Sequence, residues 1–184
     1  LNDSIEDLRL HYDITRYYNT QTANSTASTL SKNKKIMDIL KESIDASEDK
    51  KTQLRQQLFN ILKKKFEALK LEGVKIILFA TRDNKTFLRM HRPDKFWDDL
   101  SDVRHSIVKV NKTKKSLHGF EQGKVSHGFR NVYPLFDENN RYVGVFDISF
   151  SSNSMQKTLD DVNKIHSHFL VRKDVVGKKV WESS

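Results

Sequence analysis

Charged residues inside otherwise apolar strand patterns are the side chains of this sequence most suited to binding chemistry. Arg130 interrupts the apolar face of residues 128–136, and Asp147 interrupts that of residues 142–150. A charge on an apolar face is costly unless it is paired. Arg130 therefore either forms a structural ion pair, with Glu121 or Asp147, or binds a ligand carboxylate through its two-armed guanidinium. Asp147 would hold a ligand amine or fix Arg130.

His91 and Arg104 are two further candidates for ligand contact. His91 ends a predicted strand, where its ring would contact a ligand or form a loop hydrogen bond. Arg104 lies on a predicted helix and would point either towards the sheet or into solvent. His91 has no histidine partner at a metal-site spacing, and His166 and His168 are predicted to point to different sides of a helix. We therefore predict no metal and no other cofactor.

Trp97, Phe129 and Tyr133 complete the candidate ligand-binding set as aromatic walls of a pocket. Large aromatic side chains also commonly form the core, so both alternatives stay open. No nucleophile elbow, phosphate-binding glycine loop, zinc-protease motif or CxxC pair is present. The neighbouring side chains of Asp98 and Asp99 diverge, which argues against a carboxylate dyad. We predict that this chain is not an enzyme by itself.

The composition indicates a globular chain with much exposed helix. The 184 residues carry a formal net charge of +9 and include no cysteine. The excess lysines are scattered over predicted helix surfaces, which indicates a solvated surface rather than a nucleic-acid footprint. No apolar run reaches the roughly 20 residues that span a bilayer. Because the chain starts with Leu, we expect a piece of a longer protein.

The first third of the sequence is predicted to be helical. A long helix is expected from residue 2 to about 43, although the small polar residues 20–29 should make it fray or pack closely against a partner helix. Such a helix often pairs with a copy of itself. A second, strongly amphipathic helix is expected over residues 50–70, after an N-cap near Ser47 and before a left-handed Gly73.

The rest of the sequence alternates strands and helices. The pattern predicts strands over residues 74–80, 86–90, 117–122, 128–136 and 142–150, a helix over 98–110 and a final helix over about 152–168. The predicted fold class is α+β: long N-terminal helices followed by a PAS-like five-stranded antiparallel sheet flanked by helices. We divide the chain into a helical stalk and dimerisation region (1–72), a PAS-like domain (73–168) and a C-terminal tail (169–184).

Residues 88–150 resemble a known family. The segments Leu88-Arg89-Met90-His91-Arg92-Pro93, Asp98-Asp99-Leu100, Gly119-Phe120-Glu121, Gly128-Phe129-Arg130 and Val132-Tyr133-Pro134 are similar to the extracytoplasmic Cache-type sensory domains of bacterial transmembrane receptors. Those receptors are histidine kinases, chemoreceptors and diguanylate cyclases. A Gly often stands in the family where this chain has Trp97. The resemblance implies a periplasmic domain of a membrane-anchored protein, a small-molecule pocket between the sheet and its covering loops, and pairing of two protomers through the N-terminal helices.

We consider three hypotheses about function. The first is a ligand-sensing domain that binds a small, anionic molecule such as a carboxylate or an amino acid and transmits the signal through its helices. The second is a protein–protein interaction module without a small ligand, which a solid apolar core beneath the helix over residues 98–110 would favour. The third, a nucleic-acid binder, ranks last because no stacking motif occurs on a strand face.

Overall fold

The computed structural model describes residues 2–122 and 127–170, with side chains from residue 4 onwards. The elements of this part are α1 (Asn2–Ser31), α2 (Lys34–Glu42), α3 (Glu48–Leu71), β1 (Val74–Ala80), β2 (Thr86–Arg89), α4 (His105–Thr113), β3 (Leu117–Gln122), β4 (His127–Phe136), β5 (Tyr142–Ser151) and α5 (Ser152–Asn163). The predicted α+β fold with a five-stranded antiparallel sheet is confirmed.

The strands form one antiparallel sheet in the order β2-β1-β5-β4-β3. β5 lies in the centre, so its side chains are covered on both faces. The register pairs Asp147 with Val132 of β4 and Ser149 with Arg130. Paired residues point to the same side of an antiparallel sheet. Arg130, Asp147 and Ser149 therefore share one face of the sheet.

One face of the sheet, here called the α1–α3 face, packs against the first three helices. Buried residues of these helices form one hydrophobic cluster with the strand residues Phe79, Phe146, Ile148 and Phe150. The opposite face, here called the α4 face, carries a second cluster. Its members are Leu78, Val132 and Val145 of the sheet with Leu100, Ile107 and Val110 from the α4 region.

The predicted helix from residue 2 to 43 is two helices. α1 ends at Ser31, and α2 begins after Asn33, whose side chain accepts a hydrogen bond from the backbone N–H of Ile36 as an N-cap. The small polar stretch over residues 20–29 does not fray. Ala23 and Ala27 are buried there in the same cluster as the sheet. The small side chains thus let α1 pack closely against the sheet. The sequence analysis had predicted close packing against a partner helix instead.

α3 follows the sequence prediction closely. Ser47 accepts a hydrogen bond from the N–H of Lys50, as an N-cap does. Gly73 has a φ of 87°, the left-handed conformation that ends many helices. The helix bounds differ from the predicted 50–70 by one or two residues at each end, and the apolar stripe over Leu54, Leu58 and Leu62 is buried as predicted.

The helix predicted over residues 98–110 begins later, at His105. Asp98 does not lie at a helix start: it accepts two hydrogen bonds from Arg89, at 2.6 and 2.8 Å. Asp99 accepts a hydrogen bond from the backbone N–H of Ser101. These contacts hold residues 98–104 as a loop beside β2. The helix also extends to Thr113, three residues beyond its predicted end at residue 110.

The final helix is shorter than predicted. α5 ends at Asn163, where the prediction extended to about His168, and its N-cap is Ser151. The tail predicted over residues 169–184 lies outside the described residues from 171 onwards. Within the described ranges, no helix combines the length and the apolarity that a membrane crossing requires.

Candidate ligand-binding site

A cluster of charged side chains is buried on the α4 face of the sheet. Arg104 is 6% exposed, Arg130 2% and Asp147 0%. The fourth charged member, Glu121 of β3, has a side chain that is 14% exposed. Burying this many charges is costly in free energy, so such clusters mark places where pairing or a ligand compensates.

Arg104 joins the carboxylates of this cluster. It lies at the N-cap position of α4, where its Nε donates to Glu121 Oε2 at 2.8 Å and its Nη2 donates to Asp147 Oδ2 at 2.6 Å. Burial acts to lower the pKa of Arg104, but the charges of Asp147 and Glu121 outweigh it and raise that pKa. Arg104 therefore stays a buried cation.

Two serines complete the bonding of the carboxylates. Ser106 donates both its backbone N–H and its hydroxyl to Glu121, each at 2.7 Å. The hydroxyl of Ser149 donates to Asp147 Oδ1, also at 2.7 Å. The sequence analysis did not select either serine. Ser149 follows Asp147 by two residues on a strand, and side chains at that spacing point to the same face, so the sequence could have placed Ser149 beside Asp147. No sequence pattern placed Ser106 beside Glu121.

Arg130 shares the α4 face with this network. Burial and the nearby charge of Arg104 lower its pKa to about 10, while Asp147 and Glu121 act in the opposite direction. Arg130 is therefore protonated at neutral pH. The sequence analysis named Glu121 and Asp147 as possible ion-pair partners of Arg130. Both carboxylates accept hydrogen bonds from Arg104, whose side chain was predicted to point either towards the sheet or into solvent.

His91 follows β2 and lies within the influence of the Asp147 charge. Burial and the charge of Arg89 lower the pKa of His91 to about 4, and Asp147 opposes that shift. The ring is therefore neutral at physiological pH. Its Nδ1 is buried and has no hydrogen-bond partner among the described residues. This nitrogen is a polar atom that a ligand could bond to, and buried polar atoms rarely stay unsatisfied.

Three of the selected residues lie away from this cluster. Phe129 and Tyr133 point to the α1–α3 face, because side chains alternate along β4 and Arg130 points the other way. The Tyr133 hydroxyl donates to Asn24 Oδ1 at 2.7 Å. Phe129 makes an edge-to-face contact with Tyr12. Trp97 packs edge-on against Phe87, beyond the edge of the charged cluster.

Trp97 has an unusual backbone conformation. Its φ is 63°, in the left-handed region that glycine adopts most readily. The glycine that often stands at this position in Cache domains fits that conformation. In this chain a hydrogen bond from Trp97 N to Thr86 O, 2.8 Å long, holds the backbone in place.

No group of three or more His, Asp or Glu side chains is arranged to hold a metal ion within the described part of the chain. The cluster instead offers two guanidinium groups, two carboxylates, serine hydroxyls and a neutral imidazole. Such groups recognise the charged ends of a small polar molecule.

Residues 16–183 match the dCache_3 family, described as the double sensory domain of two-component sensor kinase. The chain belongs to this family. The predicted Cache resemblance is thus confirmed, and the dCache_3 chain is a ligand-sensing domain of a signal-transduction receptor. A sensory family, rather than a catalytic one, also agrees with the prediction that the domain is not an enzyme. No curated protein matches the sequence.

Solved sensor domains share the fold. The E. coli DcuS sensor domain aligns with a TM-score of 0.56 at 17% identity, covering 80% of this chain and 99% of that one. The sensor domain of the V. cholerae histidine kinase DctB aligns at 0.58 and 12% identity, with 84% of this chain and 58% of that one covered. The ligand-binding domain of the Campylobacter jejuni chemoreceptor Tlp3, in complex with 4-methylisoleucine, gives 0.50 and 12%, with 85% and 62% covered. This dCache_3 chain thus spans about three fifths of the DctB and Tlp3 domains.

Proposed function

We propose that this dCache_3 domain binds a small molecule with a carboxylate group, best an amino acid, in the charged cluster on the α4 face. The residues that would contact it are His91, Arg104, Arg130 and Asp147. The observation that carries the proposal is the burial of Arg130, Arg104 and Asp147 together on one face of the sheet.

The charge balance of the cluster favours an amino acid over a dicarboxylate. Arg104 and Arg130 contribute two positive charges, and Glu121 and Asp147 contribute two negative ones. A zwitterion adds no net charge, so it preserves this balance when it leaves water. Its carboxylate would bind the guanidinium of Arg130, and its ammonium would bind Asp147. The neutral ring of His91 would accept or donate a further hydrogen bond.

The structural relatives support this class of ligand. The Tlp3 domain was solved with 4-methylisoleucine, an amino-acid ligand, on the same fold. For the present domain this is a proposal, because the two chains share only 12% identity. The aliphatic residues Val132 and Val145 lie beside the cluster on the α4 face and would contact an apolar side chain of the ligand.

The proposal includes the setting of the domain. We infer that it is the extracytoplasmic part of a bacterial inner-membrane receptor, that residues 73–168 bind the ligand and that residues 1–72 pair two protomers, with the tail from 169 leading to the membrane or a further unit. The exposed apolar residues of α1 support the pairing. Leu10, Ile14 and Tyr17 follow a spacing of four and three residues and are 56%, 41% and 61% exposed. A second copy of α1 would cover that stripe.

The test is a calorimetric and thermal-shift screen of the domain with L-amino acids and small dicarboxylates. We expect at least one amino acid to raise the melting temperature. Arg130→Lys keeps the charge but loses the planar fork, so it should weaken that binding by about tenfold or more. Arg141→Lys is the control, because Arg141 is an exposed arginine paired with Asp137.

The proposal fails if no compound of the panel binds the wild-type domain, or if Arg130→Lys binds as tightly as Arg141→Lys. The interaction module without a small ligand would then be the better hypothesis. Its own condition was a solid apolar core beneath the α4 region, whereas that region contains the buried charges of Arg104 and Asp147. We therefore rank the ligand-binding function first.

A further inference from the structure

A cavity, here called the groove, lies at one end of the sheet, on the side of α2 and α3. Its volume is about 620 Å³, within the range of small-molecule sites. The end of α2, the start of α3, the β1–β2 hairpin and the adjoining ends of β4 and β5 enclose it. The apolar part of its wall includes Leu40, Ile44, Phe87 and Trp97. None of the four residues proposed to contact the first ligand lines this groove.

Cations outnumber acids around the groove. Its lining contains the cations Lys51, Arg82 and Lys85 and the acids Glu48 and Asp83, a net charge of 3 − 2 = +1. The ammonium of Lys51 also lies 5.2 Å from the centre of the Trp97 ring. Within the lining Lys51 pairs with Glu48 and Lys85 pairs with Asp83, so the excess is one positive charge. An apolar wall with that excess matches a ligand that has a hydrocarbon body and one negative end.

Arg55 lies behind the aromatic wall of the groove. It is one turn after Lys51 on α3 and is only 4% exposed. Its Nε donates to the backbone oxygen of Phe87 at 2.7 Å. Its guanidinium stacks on Phe96 at 3.7 Å and lies 5.1 Å from the Trp97 ring. The remaining Nη2 is buried and has no hydrogen-bond partner among the described residues.

Trp97 is shared by Arg55 and the groove. The guanidinium carbon of Arg55 lies 5.1 Å from the centre of the indole, and Trp97 is part of the lining of the groove, which Arg55 is not. The backbone of Trp97 has a φ of 63°, a conformation that a bulky residue rarely adopts. Such a conformation persists only where the surroundings impose it, and it is often associated with binding sites.

We propose that this groove is a second ligand site, which binds a monocarboxylate with an apolar body. The carboxylate binds Lys51 and, once the Trp97 indole rotates aside, the Nη2 of Arg55. The hydrocarbon part lies against Leu40, Ile44 and the Trp97 indole. A carboxylate accepts short, charge-assisted hydrogen bonds from both a guanidinium and an ammonium group. The site is independent of the amino-acid site on the α4 face, and either can be present without the other.

The experiment uses the fluorescence of Trp97. The chain has two tryptophans, Trp97 and Trp181, so a Trp181→Phe variant leaves the groove residue as the reporter. Hexanoate is the probe. We expect a saturable change in tryptophan emission with hexanoate and none with 1-hexanol or hexylamine, which share the hydrocarbon body but lack the carboxylate.

Two lysines of α3 give a matched pair of variants. Lys51 and Lys70 each form an i,i+3 ion pair, with Glu48 and Glu67 respectively. In the Trp181→Phe background, Lys51→Met should weaken hexanoate binding by about tenfold, and Lys70→Met should leave it unchanged. Arg55→Met should abolish hexanoate binding. If Arg55→Met does not fold, the comparison of Lys51→Met with Lys70→Met is the test of the site.

Four outcomes would overturn the proposal. Three of them are an absent or unsaturable response to hexanoate, an equal response to 1-hexanol, and equal affinities of the Lys51→Met and Lys70→Met variants; the fourth concerns Arg130. Arg130→Lys serves to separate the two sites. It should retain hexanoate binding, whereas loss of hexanoate binding in that variant would assign the probe to the α4 face and exclude the groove.

Discussion

At the scale of single residues, Arg104 and Arg130 differ in what they do. Arg104 holds Glu121 and Asp147 together through short hydrogen bonds. Removing one partner of a buried ion pair leaves the other charge unpaired and costs about 3–5 kcal/mol. A substitution of Arg104 would therefore change stability and ligand binding at once. Arg130→Lys, which keeps the charge, is the cleaner test of the ligand site.

His91 should make the domain sensitive to mild acid. Its pKa is about 4 in the folded chain against an ordinary value of 6.5, so below pH 6.5 the unfolded chain binds a proton that the folded chain excludes. Stability is therefore lost as the pH falls from 6.5 to 4, by about 2 kcal/mol from this group at pH 5. His91→Gln should remove that part of the loss, measured by urea unfolding at pH 7 and pH 5.

The comparison between variants isolates His91 from the other titrating groups. Arg89 also lowers the pKa of Asp98, and that carboxylate contributes a further loss at lower pH in every variant. His105→Gln is the control, because His105 is exposed at the start of α4. Equal pH dependence in His91→Gln and wild type would show that the folded chain protonates His91 normally.

At the scale of elements, the loop between β2 and α4 links both faces of the sheet. It begins at His91 beside the charged cluster, reaches α3 through Trp97 and returns to the α4 face at Arg104. The two-armed ion pair of Arg89 with Asp98 fastens its middle to the sheet edge. The sequence pattern over residues 98–104 resembled a helix start, but these side-chain bonds favour a loop.

We expect Asp98→Ala to loosen this loop without unfolding the domain. The Trp97 N–H bonds to Thr86 O, and the Thr86 N–H bonds to Asp98 O. Loss of the ion pair should lower the free energy of local opening by about 1 kcal/mol, so these amides should exchange hydrogen about fivefold faster. Asp94→Ala is the control, since Asp94 is exposed and its ion pair with Lys95 is 4.0 Å long. Unchanged exchange in Asp98→Ala would mean that the aromatic contacts alone fasten the loop.

At the scale of the whole molecule, α1 carries an apolar stripe that the described part of the chain leaves uncovered. Its inner side packs on the sheet through Ala23 and Ala27, whereas its outer side exposes Leu10, Ile14 and Tyr17. Single exposed apolar residues are common, but a stripe at helical spacing indicates a partner. A parallel or antiparallel pair of α1 helices would bury it.

We therefore expect Ile14→Lys combined with Tyr17→Lys to shift the domain from dimer to monomer in sedimentation velocity. Two charges on the stripe would have to lose water in the pair, which opposes association. Leu71→Lys provides the control, because Leu71 is 91% exposed at the end of α3, away from the stripe. If both variants sediment like the wild type, α1 does not form the dimer contact.

The sequence by itself determined the features that depend on near neighbours. Apolar spacing gave the five strands and the amphipathic α3, and the local chemistry of Ser47 and Gly73 fixed the ends of that helix. These features follow from hydrogen bonds and side-chain contacts within a few residues, which any copy of the segment would make. The family resemblance likewise came from local segments.

Only the tertiary structure decided which residues meet. Arg104 and Asp147 are 43 positions apart, and the central place of β5 in the sheet, which no local pattern specifies, brings them together. The same assembly turned Phe129 to the α1–α3 face and Arg130 to the α4 face, and it held Trp97 in a glycine-like conformation. Contacts between distant segments depend on strand order and register. They form, and contribute to the stability of the fold, only when the whole chain has folded.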